Sequence, residues 1–151
     1  MRRAAKQPAS GLNLLLIDDN SRGLLARKVV LAEQGYVVTS CNSPEEALEH
    51  FESNHFDIVV TDYRMPKMDG IQLIARFRAI RPVPIVLMSC MVEVLGLNES
   101  NTGADAVVAK NMHELPNMLR AVNRLALKPA KKPAGSQTGR KSPRSRKAAG
   151  E

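Results

Sequence analysis

Two cysteines are all that the 151-residue sequence holds, Cys41 and Cys90, and they stand far apart. With no secretory segment beside them they exclude a disulfide framework; the expected setting is a reducing cytoplasm and the expected state is two buried thiols. Long hydrophobic runs are missing too. Leu12 to Ile17 is cut off at once by Asp18 and Asp19, and the basic segment Met1 to Ser10 has no apolar stretch of signal-peptide length. Neither can cross a bilayer, so a soluble protein without a membrane partner is expected. Aromatic residues make up 3% of the chain, and none interleaves with the basic residues near its end. That absence, with no recognisable reading motif, argues against sequence-specific DNA binding.

What is present begins with charge. The formal net charge of +7 would suit a polyanion, but its placement matters more than its size. Residues 128–151 hold eight Lys/Arg and one acid, and residues 1–10 hold three Lys/Arg and no acid. Residues 11–127 hold eleven Lys/Arg against fourteen Asp/Glu and are mildly acidic. The stretch 128–151 contains no large apolar residue, so it cannot bury enough surface to offset the entropy of ordering it. The expected organisation is a disordered basic arm over 1–10, one folded domain over 11–127 and a disordered basic tail over 128–151.

Within the domain, aliphatic runs of strand length recur at Leu12–Ile17, Val37–Thr39, Ile58–Thr61, Ile85–Met88 and Ala106–Ala109. Helical patterns fill the gaps. Asn20 or Ser21 can cap a helix that stops near Gln34 and Gly35; Ser43-Pro44-Glu45-Glu46 offers a cap, a first-turn proline and acids at the positive helix end. Ile71, Ile74, Ala75 and Phe77 recur at helical spacing, as do Leu115, Met118, Leu119, Val122 and Leu125. Met91 to Thr102 is the weakest helix, because Gly96, Asn98, Ser100, Asn101 and Thr102 have low propensity. Regular alternation predicts an α/β domain: a doubly wound, five-stranded parallel sheet with right-handed crossovers and a ligand site beyond the carboxyl ends of the strands.

Those ends carry the chemistry. Asp18 and Asp19 follow the first strand, Asp62 the third, Ser89 the fourth and Lys110 the fifth. Each alone has an ordinary reading, since an Asp at a strand end is often a helix cap, a Ser a turn residue and a Lys a solvated charge. Together they converge on one edge. Three carboxylates held close require a cation or protons, and hard oxygen donors suit Mg²⁺, with Mn²⁺ as the alternative ion. Asp62 is the candidate nucleophile for phosphoryl transfer, with Lys110 opposite the metal and the Ser89 hydroxyl on a phosphoryl oxygen.

The runs Leu14 to Asn20, Asp57 to Gly70 and Pro84 to Ser89, followed by Gly103-Ala104-Asp105 leading to Lys110, resemble the receiver domain of two-component response regulators. The resemblance covers about residues 11–127. It implies a flavodoxin-like (βα)5 fold of strand order 2-1-3-4-5. It also implies a phosphoacceptor rather than a metabolic enzyme: Mg²⁺-dependent uptake onto Asp62 from the phosphohistidine of a sensor histidine kinase or phosphotransfer protein, then slow hydrolysis. The metal ligands implied are Asp18, Asp19, Asp62 and the backbone carbonyl of Arg64; Ser89 and Lys110 contact the phosphoryl group and switch. Three positions depart from the pattern. Asn111 stands where the family joins a proline to the lysine through a cis bond, which leaves this loop either trans or strained. Val107 stands where an aromatic ring normally turns inward, so aromatic-coupled switching is lost or weakened. Cys90 stands where the family has a smaller residue, so a longer-lived phosphoryl group is expected.

The leading functional expectation is a single-domain response regulator that signals through protein contacts, with the downstream partner on the surface formed by residues 91–127. A phosphate shuttle would leave the same sequence. The alternative from another class is a polyanion or nucleic-acid binder acting non-specifically through the basic tail under receiver control. His50, His55 and His113 lack metal-ligand spacing and read as surface residues.

Overall fold

The computed structural model describes residues 11–127. The expected arm over 1–10 and tail over 128–151, with the polyanion reading attached to that tail, lie outside the described residues. Five strands, β1 (Asn13–Ile17), β2 (Val37–Cys41), β3 (Ile58–Asp62), β4 (Ile85–Ser89) and β5 (Ala106–Ala109), form one parallel sheet in the order β2-β1-β3-β4-β5. The helices are α1 (Ser21–Glu33), α2 (Pro44–Ser53), α3 (Gly70–Ile80), α4 (Val92–Leu95), α5 (Glu99–Thr102) and α6 (Glu114–Leu127). This is the doubly wound, flavodoxin-like architecture anticipated above.

Side chains alternate across the strands, so each strand feeds two cores. Leu14 and Leu16 of β1, Ile58 and Val60 of β3 and Val86 and Met88 of β4 face Leu31 of α1 and Met118, Val122 and Leu125 of α6. Leu15, Ile17, Val59, Ile85 and Leu87 face Ala47 and Phe51 of α2 and Leu73, Ile74 and Phe77 of α3. Both faces of the sheet are covered, which is why β3 and β4 read as continuous apolar runs.

The helix boundaries follow from local chemistry. The Asn20 side chain accepts the Gly23 N–H at 3.1 Å, and Ser43 accepts the Glu46 N–H at 3.2 Å. Asp69 and Gln72 form a reciprocal capping box at the start of α3, at 2.9 and 3.0 Å. In α3 the buried side is Gly70, Leu73, Ile74 and Phe77, whereas Ala75 is exposed and Ile71 half-buried. In α6 Ala121 joins Met118, Val122 and Leu125 in the core, and Leu115 and Leu119 are only partly covered. The weak segment Met91 to Thr102 breaks into two four-residue helices, each closed by a left-handed glycine, Gly96 at φ 63° and Gly103 at φ 83°. Cys41 is buried as expected, but Cys90 is exposed, a correction with a simple cause: the chain leaves the sheet after Ser89 and Cys90 already belongs to the loop.

Candidate functional site

Register places the reactive groups. Ile17 pairs with Thr61 across β1 and β3, so Asp18 and Asp62 are the next positions on neighbouring strands. Asp62 stands opposite Met88 and Ser89 opposite Ala109, so Ser89 and Lys110 end the adjoining strands at the same edge. The edge is bonded down: the Asp18 N–H donates to Cys41 O at 3.1 Å, Tyr63 N–H to Met88 O at 2.8 Å and Lys110 N–H to Ser89 O at 2.9 Å. Gly70 closes the loop beneath the site. Its N–H donates to Tyr63 O at 2.7 Å, and a Cβ there would stand 2.6 Å from Asp62 O and 2.9 Å from Tyr63 Cα. Only glycine fits.

Asp18 and Asp62 are buried, at 1% and 6% exposure, while Asp19 is open to solvent. One oxygen from each of Asp18, Asp19 and Asp62 lies within 4.8 Å of the others. Lys110 reaches in with Nζ 2.5 Å from Asp62 Oδ1 and 3.5 Å from Asp18 Oδ2. The peptides of residues 11–127 include no cis bond, so the Lys110–Asn111 loop takes the trans alternative and Lys110 still arrives at Asp62. Burial is the largest influence on the Asp62 carboxyl and raises it above the ordinary 3.8; Lys110 opposes this by hydrogen bond and charge, Asp18 reinforces it and Arg27 opposes it. The Ser89 hydroxyl, 2% exposed as a residue, accepts the Met91 N–H at 2.8 Å and keeps its own proton to donate. Arg64 is exposed in the loop two residues after Asp62. Val107 is half-buried against the α3 core, with its N–H on Glu99 Oε2 at 3.2 Å.

Residues 14–123 match the response regulator receiver domain. The chain belongs to that family. Among curated relatives, this receiver is 33% identical over 113 residues to the probable transcriptional regulator ycf27 of Cyanidium caldarium, covering 73% of this chain and 45% of that protein. The chain spans less than half the length of the curated relatives that it matches. Among solved structures it resembles the receiver domain of a sensor histidine kinase from Pseudomonas aeruginosa PAO1, with a magnesium ion coordinated in the active site cleft (25% identity, 78% of this chain and 98% of that one, TM-score 0.69). It also resembles the response regulator TrrA of Thermotoga maritima in complex with Mg²⁺-BeF (26%, 76% and 98%, TM-score 0.68).

The receiver's own donor set fits a hard divalent cation. Asp18, Asp19, Asp62 and Glu114 gather around Arg27 and Lys110, so four carboxylates face two fixed cations. Ionised, the cluster is short of two positive charges, and every donor in the triad is oxygen.

Sequence reasoning missed two of these residues. Arg27, 4% exposed, pairs with Asp18 through Nη1 and with Glu114 through Nη2 at 2.9 Å. The signal was available: Leu24, Arg27 and Leu31 share one helical face, so a charge sits on the stripe that packs against the sheet. Glu114 left none, since it is 87 residues away in the chain. A second grouping, Cys41 with Glu46 and His50 within 4.8 Å, was also hidden, because Cys41 comes from a strand end and the other two from α2. Burial, reinforced by Glu46, pushes its thiol up to about 12. At neutral pH it is a protonated packing residue.

Proposed function

We propose that this receiver accepts a phosphoryl group on Asp62 from the phosphohistidine of a sensor histidine kinase or phosphotransfer protein, with Mg²⁺ held by Asp18, Asp19, Asp62 and the Arg64 carbonyl, and signals through protein contacts. The observation that carries this reading is the convergence of Lys110 Nζ, 2.5 Å from Asp62 Oδ1, with the Asp18 and Asp19 carboxylates on the buried acceptor.

An Asp62 oxygen attacks phosphorus as the P–N bond of the donor breaks, and the departing imidazole keeps the bonding pair and takes up a proton. Bound Mg²⁺ would supply charge neutralisation on the phosphoryl oxygens. The remaining work falls to the chain. Burial of Asp62 strips water from the nucleophile, Lys110 moves from the carboxylate to the developing phosphoryl charge, and Ser89 donates its hydroxyl proton to a phosphoryl oxygen. Asp62 acts as an acceptor whose acyl phosphate is later lost to water, not as a turnover catalyst for a metabolite. The signalling surface proposed is residues 91–127, where Val94, Leu95 and Met112 are large apolar side chains exposed at 75%, 47% and 88%.

The test is incubation with acetyl phosphate or phosphoramidate, with and without Mg²⁺, and intact-mass measurement of wild type and Asp62→Asn. One phosphoryl group should be gained only with Mg²⁺ and only by wild type. A wild type that gains nothing from these donors or from a histidine kinase refutes the reading.

A further inference from the structure

The acidic cleft holds a cation that phosphoryl acceptance does not require. Arg27 is enclosed beside the sheet edge, bonded to Asp18 on one side and to Glu114, in the first turn of α6, on the other. Its Nε is buried with no partner, so the side chain is placed for its two terminal nitrogens. One turn earlier in α1, Gly23 makes the seat: a Cβ there would stand 3.0 Å from Arg27 Nη1 and 3.2 Å from Asp18 Oδ2. Glycine inside a helix lowers its stability, so α1 gives up propensity for room at this guanidinium. The other Asp18 oxygen, Oδ1, accepts the Asn20 N–H at 2.9 Å.

We propose that Arg27 is a positioning residue that shares Asp18 with the divalent cation and Glu114 with α6, so that cation binding shifts it toward Glu114 and tightens the start of α6 against α1. The inference rests on the Mg²⁺ reading of the cleft. Guanidinium and metal ion are like charges on one carboxylate: each weakens the other's hold on Asp18. When the ion is bound, the Arg27–Glu114 pair strengthens, and by linkage Glu114 must favour the ion by the same factor. Farther along, α6 is tied down by Tyr36, whose hydroxyl donates to Asn123 Oδ1 at 2.7 Å, which leaves its first turn as the part free to respond. This route from site to helix needs no aromatic ring at position 107.

Calorimetric Mg²⁺ titration of the full chain tests it, in wild type, Arg27→Met, Gly23→Ala, Glu114→Gln and the Arg27→Met/Glu114→Gln double variant. Arg27→Met should bind Mg²⁺ about tenfold more tightly, with Gly23→Ala shifting the same way by displacing the guanidinium; Glu114→Gln should bind about fivefold more weakly. In the Arg27→Met background the Glu114→Gln effect should fall below about twofold. Mg²⁺ should slow amide exchange over residues 114–118 in wild type and not in Arg27→Met. An equal Glu114→Gln effect in both backgrounds, or an affinity that ignores Arg27→Met, overturns the proposal. If Arg27→Met does not fold, Gly23→Ala and Glu114→Gln decide, because the first adds helix propensity and the second changes a partly exposed group; unchanged affinity in both overturns it. No Mg²⁺ binding by any variant overturns the cation site itself, whereas binding indifferent to these substitutions overturns only the coupling.

Discussion

Residues 58–62 end at the carboxyl edge of the sheet and residues 92–102 lead away from that edge toward β5, and the two are held in opposite ways. Every residue of β3 is buried, with a paired strand on each side and Gly70 pressed under its last carbonyl. The segment after β4 is two short helices in which Thr102 is the only buried residue, with Val94 and Leu95 turned to solvent. In the proposed reaction the Asp62 carboxylate must stay in one place, because that chemistry depends on positioning. An element that answers a signal is better drawn from the low-stability end of the molecule, where local opening is inexpensive.

The widest separation should appear in stability. Ile58→Ala removes a fully enclosed side chain from β3 and should cost about 2–5 kcal/mol, whereas Val94→Ala should stay within about 0.5 kcal/mol. Urea denaturation of both variants checks this. A large cost at Val94 would mean that the segment after β4 is packed as firmly as β3, and the contrast would fail.

Gly70→Ala sharpens the same contrast at Asp62 itself. The new Cβ meets backbone of Asp62 and Tyr63 that cannot yield like a side-chain tip, so a loss of about 1–3 kcal/mol is expected, together with slower phosphoryl uptake as Asp62 is displaced. Thermal unfolding and the intact-mass assay report the two effects separately.

Asp62→Asn tests what the rigid side costs. A carboxyl raised by burial favours folding while protonated, and that contribution is lost as pH rises through its folded value. At neutral pH without metal, Asp62→Asn should therefore melt higher than wild type even though it accepts no phosphoryl group. The gap should close as pH falls below the folded value, where wild-type Asp62 is neutral too. Saturating Mg²⁺ should narrow it from the other direction by binding folded wild type. Melting curves against pH in EDTA decide; a less stable Asn variant would mean that the Lys110 pair outweighs burial.

A five-stranded parallel sheet covered on both faces and the convergence of Asp18, Asp62 and Lys110 were legible because alternating apolar runs and strand-end residues are local signals that one topological rule assembles; the strand order 2-1-3-4-5 came only with the receiver resemblance. The loop after Lys110 was not, since the chain pattern left trans and strained alternatives open and only the backbone chose. Arg27 was readable as a charge on an apolar stripe, yet its meaning depends on Glu114 from the far end of the domain, and no spacing encodes that contact. Cys90 was misread because a residue beside a buried strand end looks buried until the turn is known.

Cys90 also offers the finest probe of the comparison, since it is the first residue on the soft side of the edge, next to Ser89 on the rigid one. Its exposed thiol is larger than alanine, and if it narrows water's path to an acyl phosphate on Asp62, Cys90→Ala should shorten the phosphoryl half-life by about two- to fivefold, under about 1 kcal/mol in barrier. Folding stability should not move, because nothing packs on an exposed loop side chain. A half-life shift without a stability shift would place control of phosphoryl lifetime at the boundary between the two regions. An unchanged half-life would leave it with the rigid side alone.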